Sequence, residues 1–316
     1  MSNESQKTIA LKVDVDTLRG TREGVPRLAA LFKKHDAGAT FLFSLGPDHT
    51  GRAIKRVFRP GFLSKVSRTS VVSHYGFPTL LYGTLLPGPD IGRRCADLLR
   101  QVRDQGYEVG IHCWDHVKWQ DGVMHADAKW VHGEMLAACN RFTDIFKEAP
   151  RTHGAAGWQM NLAALRETQR LGFDYCSDGR GSHPFIPMLH AEIIDCPQLP
   201  TTLPTLDELI GIDACNEDNV HERILQLTRE AVTHQHVFTL HAELEGMRLG
   251  NVIEKLIPGW KEQGYRLVAT REQYASLDRT ALPYHEVVQG SVPGRSGTLM
   301  LQGSRYLEAL QDKQVA

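Results

Sequence analysis

The sequence lacks the local signals of several protein classes. Its six cysteines form no Cys-x-x-Cys pair, which argues against a disulfide framework and against a cysteine zinc site. Neither a G-x-G-x-x-G nor a Walker lysine motif is present, so the usual nucleotide-binding loops are excluded. The amino-terminal residues are too polar for a signal peptide, and glycine and proline interrupt the longest stretch without charged residues, 69–89. We therefore expect neither export by a signal peptide nor a transmembrane helix.

Neither sign of charge dominates the chain. Its 316 residues include 36 Lys and Arg against 37 Asp and Glu, which gives a net charge of −1. A chain with this balance has no overall field that attracts nucleic acid, and we expect no nucleic-acid partner. The length and the 41% of hydrophobic residues allow one or two domains with a large core.

Short apolar runs alternate with amphipathic helical segments, which predicts an α/β fold. The strand candidates are 9–15, 39–45, 107–111, 173–176, 192–196, 236–240 and 265–269. The helix candidates are 25–34, 91–105, 126–146, 162–171, 220–234 and 252–263. A doubly wound sheet and a β/α barrel share this alternation. The missing nucleotide motifs and the polar residues at the strand ends favour a barrel of about seven strands.

Polar residues follow four of the strand candidates at their carboxyl ends, where barrel enzymes gather their catalytic groups. They are Asp14 and Asp16, then His112 and His116, then Ser177 and Asp178, and finally His241, Glu243 and Glu245. Because these groups come from distant parts of the sequence and from the same end of the strands, we expect them to form one active site.

The residue types in this set fit metal-assisted hydrolysis. Asp14 and Asp16 lie two residues apart on a strand, so both point to one face, where a cation relieves their repulsion. One can then ligate the metal while the other accepts a proton from water. His112 and His116 have a spacing that lets both rings bind one ion, and such a cation lowers the pKa of its water to about 7. His241 is suited to protonating a leaving nitrogen near neutral pH.

Each of these motifs also has a structural interpretation. The histidine pair could be a packing pair on the surface, and the aspartates could form a solvated strand end with Asp16 capping a turn. A lone histidine such as His241 is usually structural. The position of every motif at a strand end favours the functional interpretation.

The ordered motifs resemble those of a known family. Asp14 and Asp16, the H-x-x-x-H pair, Gly157-Trp158, Ser177-Asp178 and Leu240-His241 look like the motifs of the polysaccharide deacetylases, the NodB-homology group. The resemblance covers roughly residues 8–277 and implies a metal-dependent amide hydrolase on an irregular β/α barrel. Carried over residue by residue, it implies that Asp14 is the base, that His241 is the acid, and that the metal ligands are Asp16, His112 and His116.

Several longer segments resemble a deformylase branch of this family. They are VDVDTLRGTREGVPRL, SLGPD, LLPGPDIG, AAGW, LPTTLPTLDELIG, HAELEG and VVQGSVPGRSG. This resemblance implies release of formate from undecaprenyl phosphate 4-formamido-4-deoxy-L-arabinose at the cytoplasmic face of the bacterial inner membrane. The product is the 4-amino sugar used for lipid A modification and for resistance to polymyxin and other cationic peptides. It also implies one divalent metal ion, zinc first, with manganese, cobalt or nickel as alternatives.

We expect further residues to contact the substrate, namely Gly157, Trp158, Asp178, Arg180, Glu243 and Glu245. Glu243 and Glu245 could meet the sugar or the product amine, or support His241. The chain departs from the family pattern at Gln159, where an arginine that orients the catalytic aspartate is expected. Arg180 and Arg151 are the candidates for replacing that arginine.

Two regions lie outside the alternation: an insertion at 47–90 and a tail at 278–316, which we expect to be irregular or disordered. The insertion carries basic residues among apolar ones and has no acidic residue from 51 to 89, so we expect it to contact an anionic membrane. These basic residues are Arg52, Lys55, Arg56, Arg59, Lys65 and Arg68. The alternative is a solvated basic helix packed on the barrel.

Three other functions stay open at this point. They are a deacetylase of a soluble or cell-wall glycan, a ferrous oxygenase with a two-His, one-carboxylate triad, and a membrane-docked scaffold with a structural metal. The oligomeric state is not fixed by the sequence.

Overall fold

The structure is a computed structural model and describes residues 7–53 and 79–306. In this part of the chain the strands are β1 Thr8–Val15, β2 Thr40–Ser44, β3 Glu108–Cys113, β4 Thr152–His153, β5 Tyr175–Cys176, β6 Ile186–Leu189, β7 Glu192–Ile193, β8 Gln235–His241, β9 Arg266–Val268, β10 Tyr284–Gly290 and β11 Leu299–Arg305. Seven of them form the main sheet, in the order β5-β4-β3-β2-β1-β8 with β9 also paired to β1. Every pairing in this sheet is parallel.

An irregular segment, 197–203, joins the two edges of this curled sheet. On one side the amide of Cys176 in β5 donates to the carbonyl of Pro197 at 2.8 Å, and the amide of Leu199 donates back to Cys176 at 2.8 Å. On the other side the amide of Thr202 donates to the carbonyl of Val237 in β8 at 3.1 Å. The sheet and this segment together make the irregular β/α barrel that the sequence predicts.

Six of the nine α-helices in the described residues lie where the apolar periodicity predicts helices, and the other three, each of four to seven residues, were not predicted. The nine helices of these residues are α1 Val25–Lys34, α2 Ile91–Asp104, α3 His116–Gly122, α4 Ala128–Phe146, α5 Leu162–Arg170, α6 Leu206–Leu209, α7 Val220–Glu230, α8 Gly250–Glu262 and α9 Thr270–Ala275. In α1 the stripe Val25, Leu28, Ala29 and Phe32 is buried against the core. Asp90 and Asp115 each accept a backbone amide at a helix start, which explains why α2 and α3 begin where they do.

One sequence prediction about a strand is wrong, and one strand of the main sheet was not predicted. The run 192–196 was expected in the main sheet, but only Glu192–Ile193 is a strand, and it pairs antiparallel with β6 in a second sheet of order β11-β10-β6-β7. The short strand β4 takes the corresponding place in the main sheet. A two-residue strand has no apolar alternation to detect, and Pro197 ends the neighbouring run.

The described part of the tail contains two strands, which corrects the expectation of an irregular or disordered end. β10 and β11 form an antiparallel hairpin, and β10 runs parallel to β6. Buried and exposed residues alternate at the start of β10, where His285 and Val287 face inward. Leu299 and Met300 of β11 are also buried. The limits of the barrel at 8–277 stay a prediction, since the hairpin packs beside it through β6.

Most of the basic insertion lies outside the described residues. Of its six basic residues only Arg52 is described, and Lys55, Arg56, Arg59, Lys65 and Arg68 are not. After this gap the chain continues in a short 3-10 helix, Thr79–Leu81, that leads to α2. Within the described ranges, no helix combines the length and the apolar character needed to cross a bilayer.

Candidate active site

Strand pairing brings the carboxyl ends of β1, β3 and β8 together. Asp14 of β1 is the register partner of His241 of β8, and the amide of Ala242 donates to the carbonyl of Asp14 at 3.0 Å. His112 lies near the end of β3, and His116 begins α3 just after it. The predicted base, acid and metal ligands therefore lie at one end of the sheet.

Asp16, His112 and His116 form a compact group whose ligand atoms lie within 4.8 Å of one another. Nε2 of His112 lies 3.2 Å from Oδ1 of Asp16, and Nε2 of His116 lies 3.5 Å from Oδ2 of Asp16. Nδ1 of His112 donates to the carbonyl of Gly154 at 2.6 Å. Because this bond places the proton on Nδ1, the lone pair of Nε2 faces Asp16 and is available to a cation.

The donor set and its unsatisfied atoms fit a divalent cation. Oδ1 of Asp16 and Oδ1 of Asp14 are buried and have no hydrogen-bond partner within the described part of the chain. Two imidazole nitrogens and a carboxylate are ligands that zinc and related ions accept in hydrolytic sites. Buried carboxylate oxygens without donors are costly, and a bound cation removes that cost.

A second group, His153, Cys176 and Asp178, also has metal-ligating atoms within 4.8 Å of one another. Its polar atoms form hydrogen bonds with one another and with neighbouring protein groups. Nδ1 of His153 donates to Oδ1 of Asp178 at 2.6 Å, and the Gln198 side chain donates to Oδ2 at 3.0 Å. The Asp16 group is therefore the better candidate for a metal site, because the Asp16 carboxylate is not held in this way.

The histidines shift the acid–base balance of the ligand group. Burial raises the pKa of Asp16, but the imidazoles of His116 and His112 outweigh burial, so the pKa lies well below its ordinary value. Burial lowers the pKa of His112, and the carboxylates of Asp14 and Asp16 more than reverse this effect and raise it. Asp16 is thus held as a carboxylate, the form that binds a cation.

Asp14 is 3% exposed and is paired with a lysine from its own strand. Nζ of Lys12 lies 3.3 Å from Oδ2 of Asp14, and Lys12 itself is fully buried. The two residues are two positions apart on β1, so their side chains share one face. Asp14 therefore has one oxygen beside an ammonium and one oxygen that finds no hydrogen-bond partner among residues 7–53 and 79–306.

The loop after β8 carries His241 and two buried glutamates. The amide of His241 donates to Oε2 of Glu245 at 2.6 Å, and burial raises the pKa of Glu245 to about 7. Oε1 of Glu243 accepts the Asp16 amide at 3.1 Å, the Thr17 amide at 2.8 Å and the Thr17 hydroxyl at 2.8 Å. Burial, together with the charge of Asp16, raises the pKa of Glu243 well above its usual value. Both glutamates thus support the loop and the ligand turn.

Glycine at position 20 permits this arrangement. Residues Gly20–Gly24 form a π-helical turn, and a Cβ on Gly20 would lie 1.9 Å from Oε1 of Glu243. A Cβ on Gly24 would lie 1.9 Å from the carbonyl oxygen of Ala242. The two glycines let the chain after β1 pack directly on the loop after β8.

The Gly157-Trp158 turn lies beside His241. Both residues have left-handed backbone angles, with φ of 63° and 54°, and the non-glycine Trp158 is strained there. The Trp158 ring meets His241 edge-on, with centroids 6.3 Å apart. Arg180 and Arg295 lie over the same ring at 5.2 and 4.3 Å. The Trp158 ring therefore lies between His241 and two arginines.

Asp178 and Arg180 are held by protein groups. Asp178 is fully buried, and its Oδ1 also accepts the amide of Ala155 at 2.9 Å. Nη1 of Arg180 donates to both oxygens of Glu208, at 2.7 and 3.0 Å. Arg151 is exposed and pairs with Asp174 at 3.4 Å. Direct substrate contacts by the six residues named from the sequence stay predictions.

A lysine that was not among the predicted site residues lies beside Asp14. Among the described residues, the cation placed against Asp14 is Lys12 rather than Arg180 or Arg151. Its signal was a lysine at the inward-facing position of an apolar strand. Arg295 was missed as well, because the tail was expected to be irregular and no local pattern places it beside Trp158.

The fold and the site define an amide hydrolase of the NodB type. Residues 2–176 match the family model described as polysaccharide deacetylase, and the chain belongs to this family. The chain is 39% identical over 306 residues to a protein of Shewanella sediminis described as the probable 4-deoxy-4-formamido-L-arabinose-phosphoundecaprenol deformylase ArnD, covering 96% of this chain and 97% of that protein. A protein of Wigglesworthia glossinidia brevipalpis with the same description is 30% identical over 284 residues, covering 90% and 98%.

Solved structures confirm the fold. A structure from Mycobacterium smegmatis assigned to the polysaccharide deacetylases superposes with a TM-score of 0.62 at 14% identity, covering 92% of this chain and 98% of that one. The Bc1960 peptidoglycan N-acetylglucosamine deacetylase superposes with a TM-score of 0.53 at 13% identity, covering 86% and 90%. At these identities the likeness concerns the fold alone.

Proposed function

We propose that the protein is a metal-dependent deformylase that hydrolyses the formamide of undecaprenyl phosphate 4-deoxy-4-formamido-L-arabinose. The products are formate and the 4-amino sugar lipid. The observation that carries the proposal is the meeting of Asp14, His241 and the Asp16 ligand group at one end of the sheet. The 39% identity over nearly the whole chain to a protein described as such a deformylase supports the choice of substrate. Family membership favours hydrolysis over the oxygenase and the scaffold.

The side chains divide the reaction between them. A divalent cation held by Asp16, His112 and His116 would polarise the formyl carbonyl and make water more acidic. Asp14 accepts the proton of the attacking water on its unpaired Oδ1 as the oxygen bonds to the formyl carbon. His241 then donates a proton to the sugar nitrogen as the C–N bond breaks. Formate and the amine leave.

We propose zinc as the ion, with manganese, cobalt or nickel as alternatives. The nitrogen and oxygen donors of the ligand group suit all four, and availability decides much of the selectivity among such ions.

The test is formate release from the lipid-linked formamido sugar by purified protein. We expect chelation to abolish release and a single divalent metal, added back, to restore it. The same preparation is given acetylated short glycans, the substrates of the alternative deacetylase. Cleavage of those glycans with no formate from the lipid-linked sugar under any metal would overturn the proposed substrate and keep the hydrolase.

We also propose that the insertion holds the protein at the anionic cytoplasmic face of the inner membrane. The described end of the insertion supports this. Leu85 is 80% exposed and Leu86 is 43% exposed, in a turn beside Arg52, whose Nε donates to the carbonyl of Gly83 at 2.9 Å. Exposed leucines next to a cation are typical of elements that enter a lipid interface.

Sedimentation with vesicles containing anionic phosphatidylglycerol tests this part. Leu85→Asp with Leu86→Asp should weaken binding by about tenfold. The matched control is Val232→Asp, because Val232 is 94% exposed and lies before β8, away from the insertion. Equal binding by the double variant and the wild type would remove the leucine turn from the proposed interface.

A further inference from the structure

Lys12 is a charged residue in the middle of a largely apolar strand, where it shares one face with Ala10 and Asp14. It lies on β1 and is completely buried. Its Nζ donates to the carbonyl of Ser177 at 2.9 Å, lies 3.3 Å from Oδ2 of Asp14, and stands 5.4 Å from the ring of Trp158. An ammonium in such a place is costly to bury, so its few contacts must be well defined.

Those contacts fix where the ammonium can lie. The Ser177 carbonyl, which follows β5, holds it from one side and the Trp158 ring covers it from another. A Cβ on Gly154 would lie 3.0 Å from Cε and 3.3 Å from Nζ of Lys12, so the bare glycine makes the space for the lysine. The carbonyl of the same Gly154 accepts a hydrogen bond from Nδ1 of His112. Gly154 thus determines both the position of the Lys12 ammonium beside Asp14 and the orientation of the His112 ring, a proposed metal ligand.

The two oxygens of Asp14 are therefore unequal. Oδ2 faces the ammonium of Lys12, whereas Oδ1 is buried and has no hydrogen-bond partner among the described residues. A base needs one oxygen free to take a proton and a fixed carboxylate plane to aim it. The pairing with Lys12 fixes the carboxylate plane through Oδ2 and leaves Oδ1 free to take a proton.

We propose that Lys12 is the positioning residue for Asp14. It takes the role of the arginine that is expected after Trp158, where this chain has Gln159. It acts through Asp14 and holds the carboxylate by its Oδ2, so that Oδ1 points at the attacking water. This inference rests on the proposed function, since it takes Asp14 as the base. The ammonium, the Ser177 carbonyl and the Trp158 ring form the support.

The test compares Lys12→Met, Lys12→Gln and Lys12→Arg in the full chain. Lys12→Met keeps the bulk and removes the charge, and we expect kcat to fall by about 100-fold, while KM and the bound metal per chain stay close to wild type. Lys12→Arg restores a cation and should recover kcat to within about tenfold of wild type. The matched control is Lys7→Met, which removes a lysine from the residue just before β1 and should leave kcat unchanged.

Lys12→Gln serves where the methionine variant does not fold, because its amide can still donate to the Ser177 carbonyl. A neutral variant that keeps its metal and more than a tenth of the wild-type kcat would overturn the role. Crystal structures of the same variants give a readout without activity, since Asp14 should leave its position when the charge is gone. An unmoved Asp14 would also overturn the role. If the wild type released no formate, the proposed function would fail. The position of Asp14 in the crystal structures of the Lys12 variants would still show whether Lys12 holds its carboxylate.

Discussion

Two buried carboxylate networks lie at opposite ends of the same strands. At the amino end, Glu108 of β3 is 6% exposed, and protein donors surround it. Its Oε1 accepts the Tyr175 hydroxyl at 2.6 Å, and its Oε2 accepts the hydroxyls of Thr40 and Thr270 at 2.6 and 3.1 Å. The amide of Arg271 completes the set at 2.9 Å.

The network at the carboxyl end is built from the same kinds of groups but is incomplete. Oδ1 of Asp14, Oδ1 of Asp16 and Nδ1 of His241 are buried without a hydrogen-bond partner in the described ranges. Native proteins satisfy nearly all buried polar atoms, so a cluster of exceptions marks a place that binds something else. Both ends hold buried carboxylates, and the contrast supports a candidate site at the end where, among the described residues, the carboxylates lack donors.

The largest effect is expected from the incomplete network. His112→Ala or Asp16→Asn should lower kcat by at least about 1000-fold, because each removes a ligand of the proposed cation. The bound metal measured by elemental analysis should fall in parallel, while the urea midpoint of the metal-free protein changes little. Full activity or full metal content in either variant would contradict the assignment of the ligands.

The complete network should respond in the opposite way. Glu108→Ala leaves two threonine hydroxyls, a tyrosine hydroxyl and an amide without their acceptor, and we expect the free energy of unfolding to fall by about 4 kcal/mol. The folded protein should keep its metal and a kcat within about twofold of wild type, because the site lies at the other end of the strands. Urea unfolding and formate release measure the two quantities.

The control for this loss of stability is Glu222→Ala, on the exposed side of α7. The contradicting outcome is a folded Glu108→Ala variant that loses as much kcat as His112→Ala. The two ends of the strands would then not differ in their importance for activity.

The parts of the fold that the sequence predicts are those in which the local pattern is long enough. The apolar stripe of α1 gives its bounds, Val25–Lys34, as observed. The short strand β4 has two residues and no alternation, so nothing local indicates it. The closing segment 197–203 contains two prolines and pairs with β5 and β8 through tertiary contacts alone. The β10–β11 hairpin was missed because glycine and proline dominate its connection.

The same limit applies to the site. The sequence could indicate five site residues because each lies at or just after the carboxyl end of a strand, and parallel strands bring such ends together; they are Asp14, Asp16, His112, His116 and His241. Lys12 had a weaker signal, its spacing from Asp14. Arg295 had none, since its contact with Trp158 depends on the course of the chain after β10.

The smallest expected effect concerns Glu245, which belongs to the incomplete network but is protonated over part of the neutral range. Burial raises its pKa from 4.5 to about 7, so between these values the folded state holds a proton that the unfolded state has lost. The contribution of this group to stability is therefore lost as the pH rises through that window. Glu245→Gln removes the titration and keeps an acceptor for the His241 amide.

The variant should therefore gain stability relative to wild type as the pH rises from about 4.5 to 7, by up to about 3 kcal/mol, and the difference should stay constant above pH 7. Urea unfolding of the metal-free proteins at several pH values measures it, with the exposed Glu222→Gln as the control. A difference independent of pH would mean that Glu245 ionises in the folded protein as it does in the unfolded chain. The carboxylate of Glu245 would then be stabilised by protein groups, as that of Glu108 is. Only Asp14, Asp16 and His241 would remain as the groups that distinguish the incomplete network from the complete one.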